Sequence, residues 1–432
     1  MNVLIVQLSC LTIFMLLSSV VFIKAAKQNQ RENEVYFLAT IILISFIINS
    51  FKNYIFTNYM QLGYPLNTFL FRPDDKFNDF FNMLSACRDN NPYLTEYWLK
   101  SNYFPIANTI FFLFGMFHFK YISLGVFFCI FFVFYFYFIK SILGSDFKVT
   151  QFPVLLILLL LTYPILFNCD RGNIELYVFL FVWGFFYFYN KGKIIIGITF
   201  LAMAISMKLF PGVFIILLFK DKKYKEIAMS AFLVGFFFMI SLISFNGSIL
   251  DNLYALINNL TNFNHGFNGL SGLQHNLSLY GAIKVITYGT MVLFGGNADP
   301  TMTANTLSWY SFGVLGLFLL ICYYVIFIEM VQWRNVTILT IVLLIFPNVS
   351  FDYKLIYIMI PLSFLLKSEQ KTKFRNIYLF LFAMLLVPQN YIYLINDISI
   401  AVLIYPFIML LIVGLIIAER FMDAGEMEKI TV

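Results

Sequence analysis

Charge is the scarcest feature of this 432-residue sequence. Asp, Glu, Lys and Arg together make up 12% of it, whereas hydrophobic residues make up 61% and aromatic residues 20%. A soluble globular protein of this length needs far more polar surface. The composition therefore predicts an all-α polytopic membrane protein, since an open sheet leaves backbone groups unsatisfied in lipid.

Several chemical motifs are also missing. The five cysteines show no paired spacing, which argues against a disulfide framework or a zinc site. The sequence has no glycine-rich phosphate loop and no HExxH pattern, so neither ATP-driven transport nor a metal site is indicated, and we expect no cofactor. The net charge of +6 is small for this length and does not predict a nucleic-acid partner.

What the sequence does contain is a series of apolar segments of about 15 to 25 residues, long enough to cross or nearly cross a bilayer as helices. They predict about 11–13 transmembrane helices in a single integral membrane domain over residues 1–432, with the first segment retained as a helix. The predicted helices cover residues 3–23, 35–51, 121–140, 153–168, 174–189, 194–208, 210–219, 227–246, 308–332, 336–347, 355–366, 376–388 and 399–418.

The connections between these segments differ in charge. With the N-terminus outside, alternate connections hold most of the Lys and Arg residues and are expected to face the cytosol. The opposite, extracytoplasmic face then receives two long outer loops, 52–120 and 247–307. Each contains a semi-apolar piece, Ile106 to Lys120 and Ser278 to Phe294, which we expect to form interfacial or re-entrant helices. A bacterial cytoplasmic (inner) membrane fits this arrangement.

The first outer loop carries the strongest concentration of carboxylates. Asp79 stands among Phe77, Phe80 and Phe81, and a carboxylate in a partly apolar setting suits a general base. Asp74 and Asp75 are the alternatives, but next to proline and lysine they are more typical of a solvated turn. An interfacial helix carboxylate without chemistry is the other interpretation of Asp79.

A second polar group occurs where one predicted helix ends and the next begins, at Asn168 to Glu175. Arg171 offers a planar pair of donors for a phosphate, and the following glycine allows a close backbone approach. The alternative is a capped turn in which Arg171 pairs with Asp170 or Glu175. Asn173 and Glu175, in the same group, are candidate substrate-binding residues.

Two lysines follow apolar helices on the same predicted face. Lys208, before Leu209 to Pro211, is a second candidate for binding a phosphate, although it could simply extend to the membrane surface. Lys354 is a third candidate cation, with Asp352 as its expected partner. An ion-paired helix boundary explains that stretch equally well.

The second outer loop contains two histidines in an Asn- and Gly-rich stretch. His265 and His275 could contact sugar hydroxyls, but a loop histidine is more often only solvated, and no metal-ligand spacing accompanies them.

These stretches, taken in order, resemble glycosyltransferase family 87. The resemblance rests on the Asp79-Phe80 loop, Asn91-Pro92-Tyr93, Tyr103-Phe104-Pro105, Arg171-Gly172-Asn173-Ile174-Glu175 and Lys208-Leu209-Phe210-Pro211, and spans roughly residues 70–365. Family members are GT-C-type membrane enzymes, similar to polyprenyl-phosphate-mannose-dependent mannosyltransferases.

The resemblance implies an inverting, metal-independent transfer of a sugar from a polyprenyl-phosphate donor to a glycan or glycolipid acceptor. It places Asp79 as the catalytic aspartate and Arg171 and Lys208 at the donor phosphate. The chain departs from the family after Ser350, where Tyr353 replaces a histidine that members often carry, so Tyr353 is expected to contact a substrate. Membrane lipids would be the other partners.

Two other classes of protein share a multi-helix architecture. A lipid-linked glycan flippase or polymerase would carry charged residues along a path through the membrane, whereas the charges here concentrate near one face. A small-solute transporter would commonly show paired repeats, which the sequence lacks.

Overall fold

The computed structural model describes residues 2–26, 31–96, 99–143, 151–267, 272–293, 300–370, 372–395 and 397–431. Within these residues the chain is helical almost throughout, with one short pair of strands, Tyr393–Ile395 and Ile398–Ser399, running antiparallel. The all-α prediction is confirmed.

The helices are assigned in chain order. They are α1 Val3–Ala26, α2 Arg31–Tyr54, α3 Asn78–Ala86, α4 Pro105–Gly115, α5 Lys120–Leu143, α6 Phe152–Leu160, α7 Tyr163–Arg171, α8 Glu175–Asn190, α9 Ile194–Met207, α10 Ile215–Lys220, α11 Tyr224–Ile243, α12 Ile249–Gly266, α13 Leu279–Leu293, α14 Pro300–Tyr323, α15 Gln332–Ile345, α16 Met359–Lys367, α17 Arg375–Leu385 and α18 Ala401–Thr431.

Six helical segments of the described chain are long and apolar enough to cross a membrane. They are Val3–Ala25, Asn33–Tyr59, Lys120–Leu143, Tyr224–Ile243, Trp309–Ile328 and Ala401–Asp423. The α6–α7 pair, bent by 49°, makes a seventh if it counts as one span, and five apolar helical segments are shorter. The protein is an integral membrane protein, while the number of 11–13 spans stays a prediction.

The prediction of an uninterrupted helix over 153–168 is wrong. The helix breaks after Leu160, and α7 begins at Tyr163. Pro164 explains the break, because proline fits the first turn of a helix but disrupts a helix interior. As a result the polar residues up to Arg171 belong to a short helix of their own.

The chain folds into two compact units. Unit 1 comprises Met1–Pro73, Ile139–Leu166 and Gly272–Val432, and unit 2 comprises Asp74–Phe138 and Phe167–Ser271. In unit 1, α15 is buried along most of its length. In unit 2, Phe80 of α3 is fully buried and its ring lies 5.8 Å from that of Phe111 and 5.0 Å from that of Phe127.

Candidate functional site

The N-terminus of α3 brings the first polar loop to the end of α7. Phe77 precedes the helix in a left-handed conformation, and its backbone N–H donates to the carbonyl of Asp170 at 2.7 Å. Phe80 points into the apolar core of unit 2, whereas Asp79, one residue earlier, retains 21% exposure of its side chain. Burial of the phenylalanine thus fixes the direction of the carboxylate.

Gly172 permits this close approach. Its φ of +63° is a conformation that residues with a Cβ rarely adopt. A Cβ at this position would lie 2.7 Å from the Cβ of Phe80, which is far inside contact distance. The glycine therefore allows α3 to lie directly against the turn that carries Arg171 and Asn173.

Both oxygens of Asp79 accept hydrogen bonds from this turn. Arg171 Nη2 donates to Oδ1 at 2.5 Å, and Asn173 Nδ2 donates to Oδ2 at 2.6 Å. The carboxylate is held in one orientation by a cation and a neutral amide. Each oxygen still has a second lone pair, so a further hydroxyl can donate to it.

Asp75 also belongs to the site, although the sequence predicted that it lies in a solvated turn. Arg171 Nη1 donates to its Oδ2 at 2.5 Å and to its carbonyl oxygen at 3.0 Å. Arg171 therefore pairs with Asp75 and Asp79, although a pairing with Asp170 or Glu175 was the expected alternative to phosphate binding. The sequence offered little signal for this role, because Asp75 lies in a 3₁₀ turn outside α3 and its partner Arg171 is 96 positions away.

A second ion pair lies beside the first. Lys208 Nζ donates to Glu175 Oε1 at 2.6 Å, and the side chain of Glu175 is 0% exposed. Asn173 connects the two pairs, because its Oδ1 accepts from the backbone N–H of Glu175 at 3.0 Å while its amide nitrogen binds Asp79. Asp79, Arg171, Asn173, Glu175 and Lys208 thus form one polar cluster in unit 2, which we call the Asp79 cluster.

Tyr103 also belongs to the Asp79 cluster. Lys208 Nζ lies 4.9 Å from the centre of its ring. The ring also stacks nearly parallel to that of Phe111, with 6.3 Å between the ring centres. Burial raises the pKa of Tyr103 well above its usual value, and the negative charges of Asp79 and Glu175 raise it further. The hydroxyl of Tyr103 is therefore protonated and neutral.

The backbone around Tyr103 is held by buried polar side chains. Its carbonyl oxygen accepts from Tyr93 Oη at 3.0 Å, and Ser101 Oγ accepts from its N–H at 3.1 Å. Asn259 Nδ2 of α12 donates to the carbonyl oxygens of Tyr93 and Ser101. Asn91 accepts from the backbone N–H groups of Tyr93 and Leu94, which explains the Asn-Pro-Tyr sequence as a turn motif.

Three of the predicted site residues, His275, Tyr353 and Lys354, belong to unit 1. Asp352 Oδ2 accepts from the hydroxyl of Tyr163 at 2.6 Å and lies 3.3 Å from His275 Nδ1. Lys354 is buried, and the ring of the half-buried Tyr353 lies 5.6 Å from that of Phe351. His275 is buried rather than solvated, and its pairing with a carboxylate could not be read from local sequence.

The remaining prediction for this region concerns His265. Its backbone lies in α12, but its side chain falls outside the described residues. Throughout the described ranges, no group of three or more His, Cys, Asp or Glu side chains is placed to hold a metal ion.

The comparison with known proteins bears on part of this arrangement. The sequence model of glycosyltransferase family 87 matches residues 102–350, which is more than half of the chain. The match includes Arg171, Asn173, Glu175 and Lys208, and it begins after Asp79. No curated protein and no solved structure matches the chain. The chain therefore belongs to glycosyltransferase family 87 and is a membrane glycosyltransferase.

Proposed function

We propose that this enzyme moves a sugar, a hexose such as mannose, from a polyprenyl-phosphate donor to a hydroxyl of a glycan or glycolipid acceptor. The observation that carries the proposal is the Asp79 cluster, in which the oriented carboxylate of Asp79 pairs with Arg171 and is connected through Asn173 to the Lys208–Glu175 pair. Such a combination supplies a base for the acceptor and positive charge for a departing phosphate.

In the proposed step, Asp79 takes the proton of the acceptor hydroxyl as its oxygen attacks the anomeric carbon. The new carbon–oxygen bond forms on the face opposite the phosphate, so the configuration inverts. The bond between the anomeric carbon and the phosphate oxygen breaks, and its electron pair leaves with the polyprenyl phosphate. Arg171 and Lys208 stabilise that negative charge, with Lys354 as a third candidate cation.

Five further residues are proposed to bind the substrates. Asn173 orients Asp79 and Glu175 orients Lys208, and both are proposed to help bind the substrates. His265, His275 and Tyr353 are proposed contacts of the sugar or the acceptor. The proposal requires neither a metal nor a cofactor, and its partners are the lipid-linked donor, the acceptor and membrane lipids, with no nucleic acid.

The proposed location is the bacterial inner membrane, with the reaction on the extracytoplasmic face. The basic connections support this orientation. The stretch Lys220 to Lys225, from the end of α10 to the start of α11, holds four lysines within six residues, and short basic connections are retained in the cytosol.

The test is donor consumption by purified protein in nanodiscs. A panel of radiolabelled polyprenyl-phosphate sugars is supplied with membrane acceptors, and the wild type is compared with Asp79→Asn. We expect the variant to be about 10²–10⁴ times slower, the usual contribution of a general base. The exposed neighbour Asp74 provides the control, since Asp74→Asn removes the same charge and should stay active.

Two results would contradict the proposal. Full activity of Asp79→Asn would remove Asp79 as the base. Consumption of no donor by folded wild-type protein would favour a lipid-linked glycan flippase or polymerase, and a translocation assay with labelled lipid-linked glycan would then separate these two.

A further inference from the structure

Arg171 divides its guanidinium between two carboxylates. Nη2 donates to Oδ1 of Asp79 and Nη1 donates to Oδ2 of Asp75, and each donor–acceptor distance is 2.5 Å. A phosphate oxygen competes well for such donors, since carboxylates and phosphates both match the planar arrangement of the guanidinium. A phosphate that binds these donors therefore takes the place of one of the two carboxylates.

The two carboxylates are held by different structures. Asp79 lies in the nine-residue α3 and has Asn173 as a second partner across the site. Asp75 ends the three-residue 3₁₀ turn Pro73–Asp75, and its side chain is 27% exposed. Its other oxygen accepts from Asn78, three residues away. Asp75 can therefore turn away from Arg171 while a local contact keeps it near.

Arg171 would keep its position during such an exchange. Its Nη1 also donates to the carbonyl oxygen of Asp75, and its Nη2 bond to Asp79 does not involve the exchanged group. The exchange replaces one anion by another on a largely buried cation, whose side chain is 12% exposed. The guanidinium therefore keeps a counter-charge at every step. A buried guanidinium without a counter-charge would be the arrangement with the highest free-energy cost.

We propose that the carboxylate of Asp75 holds the position on Arg171 that the phosphate group of the donor takes when it binds. This inference rests on the proposed function, because it assumes that Arg171 binds that phosphate. Asp75 then competes with the phosphate group of the donor for Arg171. It lowers the affinity for phosphate, and its return to Arg171 assists the departure of the polyprenyl phosphate product.

The experiment measures phosphate binding directly, without turnover. Wild type, Asp75→Asn and Asp74→Asn are placed in nanodiscs and titrated with polyprenyl phosphate or, in a separate arm, with inorganic phosphate. We expect Asp75→Asn to bind polyprenyl phosphate about three- to tenfold more tightly, in line with the loss of a competing, partly exposed ion pair. A gain in both arms identifies the phosphate group itself as the ligand, and a gain only with the lipid shows that the chain is also required.

The Asp74 variant controls for charge alone. Both substitutions remove one negative charge from the same turn, but the exposed Asp74 is not a partner of Arg171. At about 1 M salt, where screening acts over roughly 3 Å, any gain from Asp74→Asn should vanish while that from Asp75→Asn persists. Equal gains at high salt, or weaker binding by Asp75→Asn, would overturn the inference.

A third variant separates this inference from the proposed function. If Arg171→Gln binds polyprenyl phosphate as well as the wild type does, Arg171 does not hold the phosphate and that part of the proposed function fails. If Arg171→Gln loses binding while Asp75→Asn matches the wild type, only the inference fails. Arg171→Lys serves if the glutamine variant does not fold, because it keeps the charge but loses the two-pronged geometry.

Discussion

At the scale of single residues, Glu175 is the member of the site with the least contact with solvent. Its carboxylate pairs with Lys208, and its own backbone N–H is held by Asn173. Burial makes each charge dependent on the other, because an ion left unpaired in such a place keeps its desolvation cost and loses the compensating attraction. The pair should therefore behave as one unit when it is mutated.

We expect Glu175→Gln to destabilise the protein by about 3 kcal/mol, as is usual when one partner of a buried pair is removed. Lys208→Met alone should cost a similar amount, because it leaves the carboxylate unpaired. The double variant should lose much less than the sum of the two. Reversible unfolding in mixed micelles measures all three, and strictly additive losses would show that the two side chains do not interact.

At the scale of elements, the position of Asp79 depends on how closely α3 approaches the turn after α7. Gly172→Ala introduces a Cβ that collides with Phe80 and requires a positive φ from alanine. We expect a loss of about 2 to 5 kcal/mol in stability, the sum of the backbone strain and the overpacking. Glycosyl transfer should fall as well, since α3 would have to move away from Arg171 and Asn173.

Gly192→Ala is the matched control for this prediction. Gly192 also has a positive φ, +73°, but a Cβ there would meet nothing within 4 Å. It should therefore show the cost of the backbone conformation alone, about 1 kcal/mol. If both substitutions cost the same in thermal denaturation, the close approach of α3 contributes nothing.

The elements also show how far the sequence could predict the structure. Long apolar segments such as α5 and α11 are evident from composition, because lipid requires a continuous apolar helix. The helices α3 and α12 were missed, since both lie in segments read as polar outer loops and α3 has only nine residues. Both helices bury one apolar face against the rest of unit 2, and this helical periodicity is present in the sequence although the overall polarity of the segments masks it.

The candidate site, too, was predictable in part from the sequence. Asp79, Arg171 and Lys208 could be chosen from the sequence, because a charge next to an apolar segment is expensive and therefore conspicuous. The ion pairs of Arg171 could not be predicted, since Asp79 lies 92 positions and Asp75 lies 96 positions away from it in the sequence. Tyr103 was noted only as part of the Tyr103-Phe104-Pro105 stretch that carries the family resemblance, and its role depends on contacts with Lys208 and Phe111.

At the scale of the whole molecule, the orientation in the membrane decides which pool of substrates the enzyme can reach. The α11 helix, Tyr224–Ile243, is a candidate span that separates the basic turn at Lys222 from the start of α12. The positive-inside rule places Lys222 in the cytosol. Because a single span reverses sides, Leu250 should then lie on the extracytoplasmic face.

Single cysteines at these two positions test the orientation. Both side chains are exposed, so Lys222→Cys and Leu250→Cys should each be reachable by a membrane-impermeant maleimide. In intact spheroplasts we expect labelling of Leu250→Cys only, and labelling of Lys222→Cys after the membrane is permeabilised. The unsubstituted protein, with its five native cysteines, sets the background. The reverse pattern would place the start of α12 in the cytosol, and a donor facing the outside would then no longer fit the proposed reaction.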